Sequence, residues 1–331
     1  MTKHTARSNS IDLRAIAEQT MIEAGFATEF DSSVKDQLQA ILAKNPAGPS
    51  ASGMRDMRDL LWSSIDDSKS RDLDQVEYAE ALAGGDTRLY VGIADVDEDV
   101  SKGSPIDEHA AQNGTSVYTG VKTFPMLPEE LSTGLTSLNA AQDRLAIVTE
   151  MVLAHDGNVK STNIYRALLK NHAKLSYEDV GNWLDGKTET PASVRDVAGL
   201  EEQIRLQFES AKDLSELRKQ HGALELGTIQ ATPSVDESGK VVELSVVEQN
   251  GARDLIANFM IAANVAMAKF LEAKGGPTLQ RVVRTPKYWS RIVEIAAEDG
   301  EQLPAQPDSR ALAEFLARRK VADPLHFPDL S

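Results

Sequence analysis

Ser63–Gln75 reads SSIDDSKSRDLDQ, and Val91–Asp95, VGIAD, follows a little further on. Asp66, Asp72 and Asp74 stand in the spacing D-x5-D-x-D, with Asp67 as a fourth acid, so four carboxylates crowd into nine residues. Like charges this dense repel one another unless they are spread in water or gathered around a cation. Oxygen donors alone favour a hard ion, and Mg2+ takes one or two carboxylates together with waters and phosphate oxygens of a substrate. The plain alternative is an acidic, solvated turn between two elements. Spacing alone leaves both readings open.

Outward from this stretch, the chain of 331 residues has room for one large domain or two ordinary ones and for a substantial core. Cysteine is absent, which excludes disulfides, zinc–thiolate sites and a cysteine nucleophile and suits a reducing compartment. No N-terminal segment joins a basic start to a long apolar run, and Ile261–Leu271 is apolar but short and interrupted by Lys269. The expectation is a soluble, cytoplasmic, monomeric protein with no membrane association and no organic cofactor. A net charge of −16 argues against a broad surface that coats nucleic acid. It is compatible with a narrow basic channel or a metal site. The six histidines show no ligand or triad spacing.

The first forty residues place Ile11, Leu13, Ile16, Met21, Ile22, Phe26, Val34, Leu38, Ile41 and Leu42 at helical intervals, interrupted by Asp31-Ser32-Ser33. This predicts short helices over 1–44 that pack or dock rather than read nucleic acid. Residues 45–53, NPAGPSASG, read as a linker. Leu89–Val96 reads as a buried strand ending in Asp95, where Asp95 caps the following turn. Pro125 and Pro128 break regular structure before a short helix over Glu129–Leu138. Leu145–Leu153 and Ser161–Ala167 form a hairpin around His155-Asp156-Gly157-Asn158. Ser176–Leu184, Val194–His221, Ala252–Lys274, Pro286–Leu303 and Ser309–Lys320 read as helices, and Ile229–Val235 with Val241–Glu248 as a second hairpin. Arg281–Lys287 is the most basic run.

IDDSKSRDLDQ and VGIADV are followed by Gly114–Tyr118 (GTSVY), Phe124–Asn139 (FPMLPEELSTGLTSLN) and Asp143–Glu150 (DRLAIVTE). In this order and at these separations they resemble the catalytic domain of the ribonuclease II/ribonuclease R (RNB) family. Weaker resemblance continues through Ala173–Leu184, His221–Leu226 and Asn258–Leu271. The resemblance implies a mixed α+β (α/β) fold over 54–331, with a curved mixed or antiparallel sheet surrounded by helices, preceded by the small helical N-terminal segment. It also implies a Mg2+-dependent 3′-to-5′ exoribonuclease that hydrolyses single-stranded RNA to nucleoside 5′-monophosphates. Asp66, Asp72 and Asp74 fall on three of the family's four metal-holding aspartates, and Asp74 is the one whose loss most damages turnover. Tyr118 matches a tyrosine that stacks on a base near the RNA 3′ end, which is open beside its reading as an ordinary strand tyrosine. Leu226 falls where some relatives offer a second aromatic.

Two departures stand out. Where the family pattern reads DLDD or DMDD, this chain reads DLDQ, with Gln75 at the fourth aspartate. A glutamine oxygen can ligate a hard cation but brings no charge, so metal affinity falls, Asp67 substitutes, or activity is lost. The chain also stops at Ser331 before the family's SPxRRYxDLxxH-like segment, and it lacks cold-shock and S1 modules. The expectation is therefore a C-terminally incomplete member. The alternative from another class is a catalytically impaired RNB module that binds RNA or a protein.

Overall fold

A computed structural model describes residues 12–44, 53–224, 226, 230–236, 241–247, 249–280 and 286–330. Ile11, linker residues 45–52, turn residues 237–240 and residues 281–285 of the basic run lie outside this set. The strands are β1 (Arg55–Asp56), β2 (Trp62–Asp66), β3 (Gln75–Ala81), β4 (Thr87–Ala94), β5 (Val117–Tyr118), β6 (Thr123–Phe124), β7 (Asp143–Leu153), β8 (Val159–Ser176), β9 (Gln230–Val235) and β10 (Val241–Val247). The helices are α1 (Leu13–Glu23), α2 (Ser32–Lys44), α3 (Pro105–Asn113), α4 (Tyr177–Leu184), α5 (Ala192–Arg195), α6 (Leu200–Gln220), α7 (Gly251–Ala273), α8 (Trp289–Glu298), α9 (Ser309–Ala322) and α10 (Phe327–Leu330). Contacts divide the described residues into two units interleaved in sequence. One draws on 1–48, 96–135 and 230–247, the other on 49–95, 136–229 and 248–331.

The larger unit is built on a mostly antiparallel sheet of order β1-β8-β2-β3-β4-β7, in which β7 also pairs with β8. At 18 residues β8 is long enough to serve both sides. Its first part, Val159–Lys170, runs antiparallel to β7, and Asn171–Ser176 runs parallel to β2. The sheet therefore curls back on itself, as the resemblance implies. Inside the curl pack Trp62, Val76, Tyr90, Val148 and Leu169. Gly92 of VGIAD belongs here for a steric reason. A Cβ at this position would come 2.6 Å from Leu169 Cδ1 and 3.1 Å from Val76 Cγ2, so β4 needs a residue without a side chain where the wall closes.

The opposite face of the sheet carries Ile65, Ala79, Leu89 and Met151, covered by Val180 and Trp183 of α4, Ile204 and Leu214 of α6, and Leu255 and Phe259 of α7. Fully burying side chains of this size contributes on the order of 1.5–3 kcal/mol each, which holds α4, α6 and α7 on the sheet. The helix expected over Val194–His221 is broken: α5 ends, Gly199 takes φ 81°, and α6 starts afresh. Helical spacing alone does not reveal one left-handed residue inside a periodic run. A second correction concerns α7. It is long and apolar enough by length and composition to cross a membrane, because Leu255, Ile256, Phe259 and Met260 extend the expected short run on its N-terminal side. Here its stripe of Ala252, Leu255, Ile256, Phe259, Ala263 and Ala266 is buried in the core of the unit. Trp289, Ala296, Leu312, Phe315 and Phe327 join α8, α9 and α10 in a separate small cluster. Helix α8 is shorter than the expected Pro286–Leu303.

In the smaller unit, Val34, Leu38 and Ile41 of α2 bury against Ile106 of α3 and Leu131. The segment after Pro128 forms a single wide π turn, Glu130–Leu135, in place of the expected regular helix. Strands β5 and β6 make a short hairpin, and β9 with β10 makes another.

Candidate active site

Strand β2 is buried at every residue and delivers Asp66 to its C-terminal end, 8% exposed. The loop that follows is tied down from two sides. Ser137 Oγ accepts from Leu73 N–H at 3.0 Å and donates to the Arg71 carbonyl at 2.9 Å, while Leu138 N–H donates to the Leu73 carbonyl at 2.8 Å. The Ser-Leu pair closing FPMLPEELSTGLTSLN therefore clamps the acidic loop, a physical reason for the two segments to occur together. From β8, Lys174 Nζ donates to the carbonyls of Ser68 and Ser70. Ala94 N–H holds the Asp74 carbonyl at 3.0 Å, so the last residues of VGIAD position the entry to β3.

These ties gather Asp66, Asp72, Asp74 and Gln75 where β2 ends and β3 begins. Burial, and then the charge of Asp74, push the Asp66 carboxyl up to about 6. Gln75 Nε2 lies 3.4 Å from Asp66 Oδ1 and 3.4 Å from the Ile65 carbonyl, which favours the charged carboxylate without cancelling that rise. Asp66 Oδ2 is buried with no hydrogen-bond partner. Asp74 has solvent-accessible surface, yet the protein packed around it and the charge of Asp72 hold its carboxyl above the usual range.

Residues not singled out in the sequence complete the neighbourhood. Glu77, on the same face of β3 as Gln75, is 0% exposed with both carboxylate oxygens unpartnered. Burial and the charges of Asp66 and Asp74 push its carboxyl well above the ordinary range. Tyr177, at the start of α4, is pushed up by burial and then by Asp66 and Glu77. Arg253, in the first turn of α7, donates to Asp67 Oδ1 at 2.6 Å and stands 4.4 Å over the Tyr177 ring. Asn250 caps α7 by accepting from Arg253 N–H at 3.0 Å and donates its amide to the Tyr177 carbonyl at 2.9 Å. The alternation Gln75-Val76-Glu77-Tyr78 carried a signal that would have put Gln75 and Glu77 on one face. Nothing local announces Tyr177 or Arg253.

Asp95 is ion-paired with Arg166 of β8, Nε to Oδ2 at 2.9 Å, with its side chain 1% exposed. Tyr118 lies in the smaller unit on β5 and is 64% exposed. Leu226, beyond α6, is 54% exposed.

Among the described residues no group of three or more histidine, aspartate or glutamate side chains is placed to hold a metal ion as it stands. The donor chemistry nevertheless fits a hard cation. Asp66 has an orphaned carboxylate oxygen, and burial and then the charge of Asp74 raise its proton affinity; a Mg2+ site needs only one or two protein carboxylates, the rest being water and phosphate oxygens.

The RNB domain model matches residues 54–326. Ribonuclease R of Escherichia coli (strain K12) is 32% identical over 295 residues, 88% of this chain and 36% of that protein. Ribonuclease R 1 of Lactococcus lactis is 30% identical over 307 residues, 91% of this chain and 37% of that protein. The chain thus spans less than two fifths of the length of these curated relatives. Among solved structures, Mycoplasma genitalium RNase R in complex with ribose methylated single-stranded RNA superposes with a TM-score of 0.81 at 25% identity, covering 95% of this chain and 48% of that one. Matched by the family model over most of its length, from 54 to 326, the chain belongs to the RNB domain family.

Proposed function

We propose that the chain carries the metal-binding part of an exoribonuclease active site, and that it hydrolyses single-stranded RNA from the 3′ end to nucleoside 5′-monophosphates with Mg2+. The observation that carries this reading is Asp66: a carboxylate with one unpartnered oxygen, raised by its burial and then by the charge of Asp74, and held on a clamped loop. Asp66, Asp72 and Asp74, with the Gln75 amide oxygen, are the groups that would hold the cation. When bound, a divalent ion supplies charge neutralisation for a phosphodiester and acidifies water. The protein's part is to fix these oxygens through Ser137, Leu138 and Lys174 before substrate arrives, so little reorganisation accompanies reaction. Tyr118 offers an exposed ring on which any base can stack, in keeping with degradation that ignores sequence.

The test is release of mononucleotides from oligo(A) by the purified chain with Mg2+. Asp74→Asn should abolish release while leaving RNA binding in place, and chelation should do the same. Intact oligo(A) with wild-type protein at saturating Mg2+ would overturn the reading. A second reading has its own support: Gln75 removes one negative charge, and no described trio of acids forms a ready metal cage. On that reading the chain is an RNB module that binds RNA or a protein without cleaving. Filter-retained oligo(A) that stays uncut would favour it.

A further inference from the structure

Among the described residues, Glu77 is the acid whose two carboxylate oxygens are both buried and unpartnered. It pairs across the sheet with Ser63, whose hydroxyl is likewise buried without a partner. Beyond Glu77 this face of β3 carries Ala79 and looks into the core formed with α6 and α7. A lone carboxylate in such surroundings is costly unless something positive compensates it. Two further observations bear on what that is. Gln75 and Glu77 are two residues apart on one strand, so their side chains leave the same face, and Gln75 Nε2 reaches Asp66 Oδ1 at 3.4 Å. Asp67, the other acid beside the missing fourth aspartate, is committed elsewhere: it is ion-paired with Arg253 at 2.6 Å, with its side chain 66% exposed.

We propose that Glu77 supplies the negative charge that Gln75 withholds, so that the anionic set around the cation is Asp66, Asp72, Asp74 and Glu77, with the fourth charge moved two residues along β3. Glu77 is a positioning residue in this scheme. From its buried place on β3 opposite Ser63 it acts on the cation through its charge, without touching RNA. The inference rests on the metal reading above, and its test separates the two.

Binding of Mn2+ to the full chain without RNA is measured by calorimetry and electron paramagnetic resonance for the wild type, Asp74→Asn, Glu77→Gln, Gln75→Asp and the double variant Gln75→Asp/Glu77→Gln. Glu77→Gln should weaken Mn2+ binding roughly 10–100-fold, and the double variant should return to about the wild-type affinity, because the charge is restored at the neighbouring position. Thermal melting in EDTA accompanies each titration. Glu77→Gln should melt above the wild type without metal and gain less on adding Mn2+. Wild-type affinity in Glu77→Gln, or a double variant as weak as the single, overturns the charge relocation and leaves the metal site standing. A wild type that binds no Mn2+ overturns both.

Discussion

Replacing Asp66 by Asn should stabilise the metal-free protein at neutral pH while removing the activity proposed for it. The folded protein holds this carboxyl at about 6 where the free side chain titrates at 3.8. A raised carboxyl pKa means that folding favours the proton. The penalty is absent below 3.8, grows as pH rises and is complete above about 6. At 1.36 kcal/mol per tenfold change in proton affinity, it amounts to about 3 kcal/mol at pH 7.5 and about 0.5 kcal/mol at pH 4. Asparagine keeps an amide oxygen for Gln75 Nε2 and cannot be charged, so most of that difference should appear as stability. The assay is urea unfolding in EDTA at both pH values, followed by tryptophan fluorescence. Trp62, Trp183 and Trp289 all lie in the larger unit, so the signal reports the unit that contains the site. A variant no more stable than wild type at pH 7.5, or a gain equally large at pH 4, would refute the view that Asp66 is a buried charge lacking its cation.

Three further outcomes follow from the packing. Tyr118→Ala should leave thermal stability unchanged, since the ring is 64% exposed, and should weaken oligo(A) binding by about 1–3 kcal/mol in a fluorescence anisotropy titration. Arg166→Ala removes the guanidinium that faces the Asp95 carboxylate, which is 1% exposed while the arginine is 38% exposed. Urea unfolding should show a loss of about 2 kcal/mol, less than for a fully buried pair, and Arg166→Lys should recover part of it. Gly181→Ala would set a Cβ 2.3 Å from the Asn250 side chain, the residue that both caps α7 and holds Tyr177. A destabilisation of about 1–3 kcal/mol is expected in thermal melting. Unaltered melting would show that α4 and α7 have room to part.

How much of the site was legible in the chain depends on the range of each interaction. Asp66, Asp72, Asp74 and Gln75 are close in sequence, and a short loop keeps them close in space whatever the rest does. Strands β4, β7 and the start of β8 were readable because their apolar runs are short and bounded by turn residues. Strand β3 was missed although Gln75-Val76-Glu77-Tyr78 alternates as a half-buried strand does; what that alternation does not disclose is that the polar face is buried too, with Gln75 and Glu77 both inside. The break at Gly199 was hidden because the helical period resumes after it.

Taken alone, the amino-acid order determined the acidic loop, the hairpins, the family likeness and the substitution of Gln75 for an acid. The loop, the hairpins and the substitution depend on residues near one another along the chain, and the likeness on the order and separation of such local segments. Only the tertiary structure decided that Ser137 clamps the loop, that Arg253 reaches Asp67 from 186 residues away, and that Glu77 is sealed in without a partner. The reason is physical: those relations arise when helices α4, α6 and α7 are pressed onto a sheet that curls back on itself. The apolar contacts that press them are non-directional, so local spacing carries no record of which polar groups they trap together.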